Sequence, residues 1–113
     1  MYYAGSQLTI ETTVFDDRHV FELSGEVDIV TARELDSAVA GVSPGEYRTV
    51  IIDLRKVTFM DASGLHSLLA ANAACCERGH QLRIIPGPRA QRLFELTGTE
   101  PELPLTGAFE TRV

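Results

Sequence analysis

"TVIIDLRKVTFMDASGLHSLL", Thr49–Leu69, decides the fold of this chain. The first six residues form an unbroken run rich in β-branched side chains. It is too short for a good helix and reads as a strand buried on both faces. The stretch "TFMDASG" that ends at Gly64 reads as a loop. Leu65, Leu68, Leu69, Ala73 and Cys76 then make one helical stripe. Arg78 suits the last turn of that helix, and Gly79 suits a left-handed cap.

The flanking segments extend this pattern. Leu8, Ile10 and Val14 fall on alternate positions, as in a half-buried strand. "FDDRH" is a turn signal, and Val20, Phe21 and Leu23 begin a second strand, so residues 8–24 read as a hairpin. Thr31 and Glu34 have the spacing of a capping box. Ala32, Leu35, Val39 and Val42 keep helical spacing until "SPGE" at 43–46 breaks it. "QLRIIP", 81–86, is a further strand. Pro88 suits the first turn of a last helix, with Leu93 and Phe94 facing inward and Gly98 ending it. The tail contains Pro101 and Pro104 and holds at most a short edge strand near Leu103–Phe109. The expected order is β-β-α-β-α-β-α, with a final short strand as an option. This is an α/β fold in which strands joined through helices are parallel and the opening hairpin is antiparallel. Residues 1–113 read as one domain.

Composition excludes several classes of function. The chain has 113 residues, of which 44 % are hydrophobic, enough for one core without disulfides or metals. Its formal charge of −6 and scattered basic residues argue against nucleic acid and against anionic membranes. No apolar run approaches the roughly 20 residues that cross a bilayer. "MYYAGSQLTIETTV" has no basic start followed by an apolar core, so no secretory signal is expected. Cys75 and Cys76 are adjacent and read as free thiols in a reducing cytoplasm. His19, His66 and His80 lie in three different elements, without the spacing of a metal site. Ser63, His66 and Asp53 form a triad only on paper, because no nucleophile elbow surrounds Ser63. No phosphate-cradling glycine loop is present. Neither catalysis, nor a metal, nor a cofactor is expected.

One place favours function. The carboxyl end of the buried strand leads through a short loop to a helix N-terminus, where ligands and regulatory contacts gather in α/β sheets. The helix start offers free N–H groups and a positive dipole end. Asp61 or Ser63 would cap it, and Gly64 lets another backbone approach closely. A plain capping role also accounts for these residues.

"VIIDLRKVTFMDASGLHSLL" resembles the signature of the STAS domain, shared by anti-sigma factor antagonists and the tails of sulfate transporters. "LSGEVDIVTA" at 23–32 is similar to the family's G-E-L-D patch, and "RLFELTG" at 92–98 to its third-helix pattern. The likeness runs in order over about residues 8–98. It implies a mixed β-sheet flanked on one side by helices. For a chain of this length it implies a bacterial, cytoplasmic anti-sigma factor antagonist. Such a protein binds an anti-sigma factor serine kinase with a kinase-like ATPase fold and frees a sigma factor. The kinase phosphorylates a loop serine to release it, and a serine phosphatase resets the switch. A monomer or weak dimer fits this role. Two alternatives are a scaffold subunit of a larger STAS assembly and a small-ligand or nucleotide-binding module.

The family's loop usually reads D-S-[ST]-G, with the acceptor directly after the Asp. Here Asp61, Ser63 and Gly64 match, but the acceptor position is Ala62, which has no hydroxyl. The resemblance therefore leaves Ser63 as the phosphorylation candidate, or a switch disabled by Ala62. Thr58 and Ser67 are the other nearby hydroxyls. The likeness also marks Glu26 and Asp28 as partner-facing candidates, together with Asp61. Met60 reads equally as an exposed interface contact or as a cover for the core.

Overall fold

The computed structural model describes residues 7–107. Its strands are β1 (Leu8–Phe15), β2 (Arg18–Val27), β3 (Thr49–Met60) and β4 (Gln81–Ile85); its helices are α1 (Ala32–Ala40), α2 (Ala62–Glu77) and α3 (Pro88–Thr97). The strands form one sheet in the order β1-β2-β3-β4. β1 and β2 pair antiparallel, whereas β2–β3 and β3–β4 are parallel. Asp16, at φ 52°, turns the hairpin, a conformation that aspartate tolerates better than most residues.

The sheet has one covered face. Phe21, Leu23, Val50, Ile52, Leu54, Leu82 and Ile84 share a core with Leu35 and Val39 of α1, Leu65 and Leu68 of α2, and Phe94 of α3. The other face carries a small cluster of Val20, Ile51 and Ile85, with Phe15 packed on it and no helix residue. Residues 50–54 are therefore buried on both faces, as the run of apolar residues requires. Asp53 is the exception in side-chain type. It lies on the face away from the helices, only 3 % exposed, held by a bidentate pair with Arg55.

Several expectations need correction. β3 does not stop at Leu54 but runs to Met60, through much of the expected loop. It contains two register shifts against β2, between Glu22/Ser24 and between Gly25/Glu26, each adding a residue to β3. Such bulges break strict alternation, which hides a strand from a period-two reading. The buried stripe of α2 is Gly64, Leu65, Leu68, Ala71 and Cys75, while Ala73 and Cys76 face outward. Val14 is 48 % exposed rather than half-buried, because no helix reaches that end of the edge strand. The expected capping box at α1 does not form: Thr31 makes no side-chain cap bond to its helix. Leu93 is half-buried and Phe94 fully buried, and Gly98 ends α3 at φ 69°.

In the tail, Glu100–Glu102 form a 3-10 turn. The expected edge strand reduces to one parallel bridge between Leu105 and Ile84. Ile84 N–H donates to Pro104 O at 2.9 Å, and Thr106 N–H donates to Ile84 O at 2.8 Å. Phe109 lies outside the described residues.

Candidate functional site

The parallel pairing of β2 with β3 ends at Val27 and Met60, so the turns that leave both strands lie side by side. Asp61 N–H donates to Val27 O at 3.2 Å and ties one turn to the other. This brings Glu26, Asp28, Asp61, Ala62 and Ser63 to one end of the sheet.

At the start of α2, Asp61 is the N-cap in extended conformation, and its Oδ1 accepts from Ser63 N–H at 2.9 Å. Ala62 is the first helical residue and is exposed. Ser63 is half-buried, and its hydroxyl makes no hydrogen bond among the described residues. Capping therefore falls to Asp61, not to Ser63. Gly64 is buried for a reason other than the expected backbone approach. A Cβ there would lie 2.7 Å from Met60 Cγ and 2.9 Å from Val27 Cγ1. The glycine lets the first turn of α2 settle onto two core side chains, and its Cα is covered by them.

Met60 is only 8 % exposed and belongs to the core, so it is not an exposed partner contact. Its neighbour Phe59 is 50 % exposed. The bulge between Val57 and Phe59 turns Met60 inward and leaves Phe59 outside. Thr58 is exposed and donates from Oγ1 to Gly25 O at 3.2 Å, while Ser67 is buried within the helix.

The β2–α1 turn is more tightly bonded. Asp28 Oδ1 accepts from Val30 N–H and Thr31 N–H, each at 3.0 Å. The Thr31 hydroxyl, fully buried, accepts from Asp28 N–H at 2.9 Å and donates to Glu26 O at 2.8 Å. These bonds, Thr31's backbone N–H first, hold the Asp28 carboxyl below its usual range. Asp28 is thus a structural element of its turn. Glu26 is half-buried, and its N–H donates to Gln7 O at 2.9 Å. Gly25, at φ 105°, allows that contact, because a Cβ would lie 2.5 Å from Gln7 O. Beyond Asp28, Ile29 and Val30 stand 70 % and 49 % exposed. Sequence reading missed these two; their signal is an apolar pair between a turn aspartate and a helix start.

The other chemistry-bearing residues lie elsewhere. Asp53 sits on the opposite face of the sheet from α2, so Ser63, His66 and Asp53 do not assemble. No group of three metal-ligating residues occurs among the described residues. His19 stacks near Phe21 and Tyr47, and burial pushes its imidazole below the ordinary value. His80 is buried and bonded through Nδ1 to Tyr47 O. Cys75 is buried, which pushes its thiol up and makes it inert, whereas Cys76 is exposed. No described helix is long and apolar enough to cross a membrane.

Comparison with known proteins places these features in context. Residues 9–111 match the family model described as the STAS domain. The chain is 32 % identical over 92 residues to the anti-sigma-B factor antagonist of Staphylococcus aureus, covering 80 % of this chain and 85 % of that protein. Its structure is similar to that of an anti-sigma factor antagonist from Mycobacterium paratuberculosis, with a TM-score of 0.82 and 28 % identity over 96 % of this chain and 93 % of the other. It also shares the fold of the anti-sigma factor antagonist SpoIIAA in its unphosphorylated form, with a TM-score of 0.67 and 19 % identity over 90 % and 91 % of the two chains.

Proposed function

We propose, from the premise that this chain belongs to the STAS domain family, that it is an anti-sigma factor antagonist. It acts by binding an anti-sigma factor and so freeing a sigma factor, and it performs no chemistry itself. The observation that carries this reading is the 32 % identity to an anti-sigma-B factor antagonist across most of both chains. The side-by-side turns at Val27 and Met60 supply a surface for such a partner, with acidic groups and the exposed pair Ile29 and Val30. In this reading the partner has a kinase-like ATPase fold, a serine phosphatase opposes it, and the setting is the cytoplasm. Residues 1–113 act as one domain.

Ser63 is the phosphoacceptor in this reading, in place of Ala62. Its hydroxyl is not engaged in capping, which Asp61 performs, so it is available for modification. A phosphate adds roughly −1.5 to −2 charge at neutral pH, which a helix N-terminus tolerates. It would also stand beside the Asp61 carboxylate and bring charge and hydration into the contact. Release of the partner without unfolding follows. The same carboxylate disfavours a nucleotide phosphate at this helix start, because Asp61 already occupies the Ser63 N–H.

Binding is tested by calorimetry with the purified anti-sigma factor of the same organism. Ile29→Glu leaves the turn bonds intact and is expected to weaken binding by more than about 1 kcal/mol. Unchanged affinity in Ile29→Glu and Asp61→Lys together overturns the surface. For the switch, the chain is incubated with that kinase and ATP and mapped by mass spectrometry. Phosphate on Ser63 supports the moved acceptor. No phosphate, with binding retained in ATP, means that Ala62 has disabled the switch.

A further inference from the structure

A groove of about 190 Å³ lies between the end of β3 and α3, directly before the Asp61 turn. Phe59 forms one wall, and Leu93 and Leu96 form the other. Phe59 is 50 % and Leu96 74 % exposed. Arg89 and Arg92 line the same groove, and with Leu96 they follow helical spacing along one side of α3. Four of the five large hydrophobic residues exposed in the described chain are Ile29, Val30, Phe59 and Leu96, on or near the same end of the sheet.

The groove opens beyond the point where α3 packs closely on β3. α3 is pressed onto β3 at Gly87, where a Cβ would lie 2.4 Å from Leu54 O and 2.7 Å from Arg55 Cα. Its volume is below the roughly 300–1,000 Å³ of a small-molecule site and suits one large apolar side chain. The rim of the groove is positively charged. Arg55 is paired with Asp53, and Arg78 donates to Ala40 O and Val42 O. Arg89 and Arg92 make no hydrogen bond or ion pair among the described residues. The nearby acids Glu95 and Glu100 accept instead from Gln91. Two unengaged guanidinium groups thus border an exposed apolar groove on a chain of net charge −6.

We infer that this groove is a second subsite for the anti-sigma factor, and that it receives an acidic segment of that partner with one large apolar anchor residue. The anchor enters between Phe59 and Leu96, and its flanking carboxylates meet Arg89 and Arg92. Buried anchors beside guanidinium groups are the usual centres of interface energy. The subsite continues the surface of the Asp61 turn through the exposed Phe59, so one partner can span both. This inference rests on the function proposed above.

Two measurements test it separately. In the first, the isotopically labelled chain is titrated by NMR with a synthetic helical peptide carrying one leucine among glutamates, and with the same peptide carrying lysines. The glutamate peptide is expected to shift the Phe59, Leu93 and Leu96 signals, and rising salt to weaken the effect. No shift, or equal shifts with the lysine peptide, overturns the inference. In the second, calorimetry with the purified anti-sigma factor compares wild type with Leu96→Glu and with Arg89→Glu/Arg92→Glu. Each is expected to weaken binding about tenfold or more, with the fold unchanged because these side chains are at the surface. Wild-type affinity in both variants overturns the inference. If the wild-type chain binds no anti-sigma factor, the function proposed above fails, and the peptide titration still decides what the groove accepts.

Discussion

α1 and α2 both begin just past a strand, on adjacent turns, and each turn carries an aspartate. The bonding differs. At the first turn, Asp28 Oδ1 accepts two backbone N–H groups, and the buried Thr31 hydroxyl bridges Asp28 N–H and Glu26 O. At the second, Asp61 accepts a single N–H from Ser63, and the adjacent hydroxyl is unengaged. A turn whose polar groups bond one another presents a fixed surface, and changing any member disturbs the fold. A turn with a spare hydroxyl at a helix N-terminus can take a new charge at little cost to the fold. The first suits constant recognition, the second a reversible change.

The contrast is broken most severely at Gly25, which precedes the tightly bonded turn. Gly25→Ala combines a strained positive φ with a clash against the backbone oxygen of Gln7. A loss of about 3 kcal/mol is expected from the two effects together. Urea unfolding followed by circular dichroism measures it; a loss below that of a surface substitution would mean that β1 shifts freely at Gln7. Thr31→Val comes next, at about 2 kcal/mol, because it removes the fully buried hydroxyl that joins Asp28 N–H to Glu26 O while preserving shape. The same unfolding assay applies, with the slope expected to be unchanged.

Asp61→Ala sharpens the comparison from the other side. It removes one capping bond, so about 1 kcal/mol is expected, clearly less than for Thr31→Val. Equal losses would mean that the two turns do not differ in the way their bonds suggest.

The sequence made the element order legible because apolar periodicity and turn residues agree along the chain. The parallel crossovers followed from that order. What escaped was set by irregular or tertiary features. The two bulges of β3 place Val57 and Met60 inward three residues apart, a spacing that no alternating pattern predicts. The stripe of α2 turned out to include Gly64, whose lack of a side chain makes it invisible to a hydrophobicity reading. Thr31 has a capping-box neighbour in Glu34, yet its hydroxyl bonds backward to Glu26 and Asp28, a choice made by tertiary position. At the site, residue chemistry offered Asp61 or Ser63 as the cap, and the bond from Ser63 N–H to Asp61 decides between them. The exposure of Phe59 and the burial of Met60 were not, since adjacent apolar residues look alike until the bulge separates them.

Acid should act on the first turn in a definite direction. Asp28 has its carboxyl held below the usual range by N–H bonds that exist only in the folded turn. Its contribution to stability is therefore complete above the ordinary carboxylate value of about 3.9. It is lost as pH falls through the lower folded value. Solvent screening at this partly exposed position makes the effect smaller than removal of a cap. The check is stability against pH for wild type and Asp28→Asn, whose curves should converge in acid. Curves that stay parallel through that range would remove the carboxylate from the bonding of the turn.

The smallest effect is expected at the residue given the largest regulatory role. Ser63→Ala removes a hydroxyl that makes no hydrogen bond among the described residues, and it keeps the backbone N–H that donates to Asp61. Alanine is also at least as good a helix former as serine. The change in stability should therefore stay within about 0.5 kcal/mol, the range of substitutions that touch no special feature. Calorimetric unfolding of wild type and variant measures this directly. A loss above 1 kcal/mol, comparable to a missing cap, would show that the hydroxyl supports the helix start. The difference drawn between the two turns would then collapse, because both would depend on side-chain bonds to hold their shape. A silent Ser63→Ala would instead leave a hydroxyl at the head of α2 with no structural duty, on the turn where the fold can best accept a new charge.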